Sequence, residues 1–152
     1  MKKSILTLII LILSLGISAI AENPEIFEEK SSHDFATSVE LLKKATKDVG
    51  WTLPNEHDMQ ASMKKGGHDV LPIQILVLCN SGFAQRFLDN DDTRHIAAVM
   101  PCRIAVYQKE DDSTYISWSN LLKLGEKLGE PAQSILKDVA KEMNQIAQSA
   151  IR

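Results

Sequence analysis

Hydrophobic and polar positions follow several distinct periods along this chain, and the first stretch has none. Lys2 and Lys3 precede an uncharged apolar run over residues 5–17, which gives way to the small residues Ala19 and Ala21. A basic start, an apolar middle of that length and a small-x-small ending predict a secretory signal peptide over residues 1–21, with the exported chain starting at Glu22. The competing reading is an uncleaved anchor, since residues 4–21 approach the roughly 20 apolar residues that span a bilayer. Gly16 and Ser18 break the run and favour cleavage, and no Cys stands at the cut to take a lipid.

Residues 22–33 form an acidic lead-in, expected to pair as an edge strand around Ile26 and Phe27. From Asp34 the apolar positions recur at Phe35, Val39, Leu42 and Val49, one face of a helix that Asp34 is suited to cap and Gly50 to stop. Trp51, Thr52 and Leu53 read as a short strand, residues 54–57 as a turn, and residues 58–65 as a helical turn ended by Gly66 and Gly67. Residues 70–78 are rich in β-branched side chains and predict a central strand, which Pro72 restricts to a start near Ile73. A short helix then turns Phe83, Phe87 and Leu88 inward, and residues 89–92 are solvated charge. Residues 103–108 and 114–118 alternate with period two about a polar link, a hairpin. Leu121, Leu124 and Leu128 mark one helix. Pro131 opens another, whose inner face is Ile135, Leu136, Val139, Met143, Ile146 and Ala150.

Strands and helices in this order predict an α+β fold. Cleavage of the leader leaves 152 − 21 = 131 residues, the size of one domain with one core, assigned here to residues 34–152. Loss of Lys2 and Lys3 takes the net charge from −3 to −5, and a net acidic chain with scattered cations argues against nucleic acid as a partner. The expected partner is a small ligand or another protein, including a second copy as a homodimer. After cleavage nothing in the pattern calls for a membrane, and the expected location is the periplasm or the exterior.

One set of residues resembles a known family. Residues 75–80 (Ile-Leu-Val-Leu-Cys-Asn), then Phe83-Ala84, then residues 101–107 (Pro-Cys-Arg-Ile-Ala-Val-Tyr) are similar to the central signature of the domain-of-unknown-function 302 (DUF302) family, with Gly50-Trp51 and Gly67 in the expected places. The likeness covers residues 34–128. It departs at Ser81, where many members carry Pro. The resemblance implies a curved antiparallel sheet with helices packed on one face, two layers somewhat like the TATA-binding-protein fold, and it implies no activity.

The chemistry centres on Cys79 and Cys102, each at a strand end. Export to an oxidising compartment and a returning connection between those ends favour a structural disulfide. The alternatives are a redox-active pair, with Arg103 holding Cys102 as thiolate, a soft-metal site with Met100 as a thioether ligand to copper(I), or two inert thiols. Asn80 beside the first Cys is a further candidate lining residue. No cofactor is specified. His57, Met59 and Met63 are other soft donors, the two methionines better read as core filling, and His33, His68 and His95 stand isolated. No Gly-x-Ser-x-Gly, His-Glu-x-x-His, phosphate loop or haem attachment motif occurs. The acidic run at residues 89–92 lacks the glycine and closing Glu of a calcium loop. The leading expectation is a binding or accessory module, with a thiol-redox or copper-handling protein as the alternative.

Overall fold

The structure, a computed structural model, describes residues 24–152; the leader and its cleavage site lie outside the described residues. Five strands form one antiparallel sheet: β1 (Ile26–Lys30), β2 (Thr52–Asp58), β3 (Ile73–Cys79), β4 (Cys102–Gln108) and β5 (Thr114–Ser119), in the spatial order β1-β5-β4-β3-β2. The expected α+β class and antiparallel sheet are therefore present. Among the described residues no helix is long and apolar enough to cross a membrane.

Period-two alternation builds the buried face. Leu76 and Leu78 of β3, Ile104 and Val106 of β4, and Ile116 and Trp118 of β5 all point to one side, where they are almost wholly buried. Two long helices cover them: α1 (Phe35–Asp48), which links the two edge strands, and α6 (Ala132–Gln148). Every position of the predicted stripe is buried, from Ile135 in α6 to Ala150 just past its end. Helix α1 starts as its sequence predicts, with the Asp34 carboxylate accepting the Thr37 N–H at 2.8 Å, a cap worth about 1 kcal/mol. It stops where Gly50 adopts φ 79°, a left-handed conformation costly for other residues.

Two expectations fail. Residues 54–57 are part of β2, not a turn, and the expected helical turn follows as α2 (Met59–Lys65). Because β2 is an edge strand, Pro54 can sit in it without breaking a ladder on both sides, and the pairing absorbs the irregularity between Thr52 and Asn55. Leu88 is 40% exposed rather than inward, because α3 (Ser81–Leu88) is short and turns only Phe83 and Phe87 to the core.

The connection from β3 to β4 positions the site. After α3 come α4 (Asp91–Arg94) and a 3₁₀ turn (His95–Val99), both unread in the sequence, which bring the chain back beside β3. Thr93 anchors this return by donating to the Phe87 carbonyl at 2.7 Å, and Ile96 inserts into the core. Finally α5 (Leu121–Leu128) lies close against α6: a Cβ on Gly125 would meet the Gln133 Cα at 3.2 Å, so a larger residue there would push the pair apart.

Candidate functional site

Helix α3, the 3₁₀ turn, α5 and α6 do not close completely over the end of β3. They leave an apolar cavity of about 60 Å³, walled by Trp51, Phe83, Phe87, Ile96, Leu124, Val139 and their neighbours. Cys79 and Cys102 both line it, as do Asn80, Met100 and Pro101. The strand ends that hold the two cysteines are thus brought together, as expected from the returning connection.

They are not joined. Both cysteines are free thiols, which corrects the expected disulfide. The register explains why. Cys102 stands opposite Leu78, not Cys79, and a one-residue offset between adjacent strands starts the two side chains on opposite sides of the pleat. Cys102 shares the buried face with Ile104 and Val106, so its surroundings are apolar.

That burial pushes the Cys102 thiol up to about 11; the neighbouring Cys79 adds to the effect and Arg103 opposes it without prevailing. Arg103 therefore does not hold Cys102 as thiolate, and Cys102 is a neutral thiol at pH 7. No carboxylate or imidazole is among the residues lining the cavity, so it contains no acid–base pair.

Asn80 has a definite local role: its side-chain oxygen accepts the N–H groups of Gly82 and Phe83 at 3.0 and 3.2 Å and caps α3. Ser81 is then the first helical residue, the position at which proline is also well accommodated, so the departure from the family pattern leaves the helix start intact. Trp51 is fixed by its indole N–H, which donates to Glu142 at 2.5 Å, and its ring meets Phe83 at 5.9 Å. Arg103 is exposed and borders a second cavity of about 110 Å³ with Ser119 and Met143; Val99, Pro101, Cys102 and Leu121 line both cavities.

Other candidates fall elsewhere. His57 is exposed and Met59 and Met63 are half-buried, all away from the thiols, and no cluster of three His, Cys, Asp or Glu suited to a metal occurs among the described residues. Trp118 belongs to the core and donates to Asn144, whereas Tyr107 stacks on Tyr115 at 6.2 Å and donates to Glu28. Trp51, Phe83, Ile96 and Val99 were not expected at the site. The apolar spacing of Phe83 and Phe87 announced an inward helix face, but nothing local announced a gap beneath it.

A family model described as domain of unknown function DUF302 matches residues 27–150. The chain belongs to the DUF302 family. A solved structure of an uncharacterized conserved DUF302 protein from Bacillus stearothermophilus is similar, with 20% identity and a TM-score of 0.74 over 83% of this chain and 98% of that one. At that identity the likeness concerns the fold. No curated protein matches. In this DUF302 domain the signature residues Leu78, Cys79, Asn80, Phe83, Ala84, Pro101 and Cys102 supply part of the cavity wall.

Proposed function

We propose that this DUF302 protein is an exported binding module whose site is the cavity at the ends of β3 and β4. The observation that carries the reading is the cavity itself: a largely apolar, partly open space with a few polar groups at its rim, the usual form of a small-molecule site. Apolar walls and a protonated Cys102 favour a neutral, mainly apolar group over a charged one inside this cavity. Thiol redox catalysis is disfavoured, since a nucleophilic cysteine needs a depressed pKa and Cys102 has the reverse. Copper(I) would find Cys79, Cys102 and Met100 among the lining residues, but the Cys102 thiol would have to ionise against its burial.

Hexan-1-ol, titrated while backbone amide NMR shifts are followed, tests the reading. Saturable shifts should centre on Cys79, Phe83, Ala84 and Cys102, and Ala84→Leu, which fills the cavity, should remove them while the variant stays folded. Hexanol leaving these amides unmoved, or shifting them equally in the filled variant, would overturn the site.

Export rests on residues 1–21 as a leader. Protein recovered outside the cytoplasm should have the intact mass of a chain starting at Glu22. Recovery of the full 152 residues would point to a retained anchor instead.

A further inference from the structure

We infer that the ligand is a singly anionic amphiphile, a short apolar chain or ring bearing one carboxylate-like group, with its apolar part in the first cavity and its charge at Arg103. This rests on the reading of the first cavity as the binding site and adds the ligand's class.

The two cavities share part of their walls. Val99, Pro101, Cys102 and Leu121 line both, so only the width of these side chains separates them. They differ in chemistry. The first is walled by rings and aliphatic side chains. The second passes round the start of β4, and its lining adds Arg103 and Ser119, a cation and a hydroxyl. Alternation explains the change. Ile104 and Trp118 are paired across β4 and β5 on the buried face, so Arg103 and Ser119, one position further toward the sheet end, start on the opposite face and bring polar groups to the mouth.

Arg103 is the one cation among the residues lining the two cavities, and among the described residues it has no ion pair and no side-chain hydrogen bond. An exposed guanidinium with no protein partner, lining a cavity that shares four residues with the apolar one, is suited to a charge-assisted hydrogen bond from outside the chain. Ser119 supplies a neutral donor beside it. The apolar cavity offers no compensation for a second charge, which limits the ligand to one.

Hexanoate, hexan-1-ol and acetate, compared by calorimetry and amide shifts, separate the contributions. Hexanoate should bind roughly tenfold more tightly than hexanol, the scale expected of one charge-assisted hydrogen bond at a partly exposed site. Acetate, a head without a tail, should not bind measurably. Arg103→Gln, a change at an exposed position, should bring hexanoate down to the level of hexanol and leave hexanol unchanged, and Arg103→Lys should retain part of the preference. Equal affinity of hexanoate and hexanol for the unaltered protein, or a preference that survives Arg103→Gln, would overturn the inference while the apolar site stands. Failure of both probes to bind would overturn the site and the inference together.

Discussion

Removal of residues 131–152 should abolish cooperative unfolding. Helix α6 places Ile135, Leu136, Val139, Met143 and Ile146 against the sheet, each 7% exposed or less. At about 1.5–3 kcal/mol for each buried side chain, their loss amounts to about 7–15 kcal/mol, comparable with the whole stability of a domain this size. The effect is compounded, because Trp118 and Trp51 lose the Asn144 and Glu142 partners of their indole N–H groups and Leu76, Ile104 and Ile116 lose their cover. The truncated chain should show no sharp thermal transition by circular dichroism, and Ile146→Ala in the intact chain should cost about 2–5 kcal/mol. A truncated protein melting at the original temperature would show that α6 is an appendage and the core lies elsewhere.

Stability should fall between pH 9 and 11 by roughly 2 kcal/mol on account of one thiol. Folding raises the Cys102 pKa from 9.0 to about 11. In that window the folded protein keeps a proton that the unfolded chain releases, so the unfolding free energy decreases as pH rises. Two units correspond to somewhat more than 2 kcal/mol, trimmed because the thiol is only partly buried. Below pH 9 the contribution is fully present. Urea titrations at pH 8.5 and 10.5 should show the fall in the unaltered protein and a clearly smaller one in Cys102→Ala. Tyr107, raised to about 12 mainly by burial, acts in the same direction in both proteins and cancels from the comparison. Identical pH dependence in the two would mean that Cys102 is more hydrated than its position beside Ile104 implies.

The sequence determined the elements where a period is long enough to leave no choice. The stripe of α6, the cap and stop of α1, and the alternation of β4 and β5 are each written in side-chain spacing. Local spacing also foretold that Cys79 and Cys102 would lie at one end of the sheet, since one closes its strand, the other opens the next, and the connection between them is long enough to return. Tertiary structure decided everything that depends on which strand lies beside which and in what register. Pro54 reads as a turn unless β2 is known to be an edge, and edge position is a property of the whole sheet. The disulfide failed for a similar reason: one residue of register separates a bonded pair from two free thiols, and no spacing within either strand encodes that offset. The cavity was least legible of all. Its walls come from segments as distant as Trp51 and Val139, each apolar for ordinary reasons of burial. A gap among apolar side chains has no residue type of its own; it arises from how far α3, the 3₁₀ turn and α5 stop short of one another over the end of the sheet.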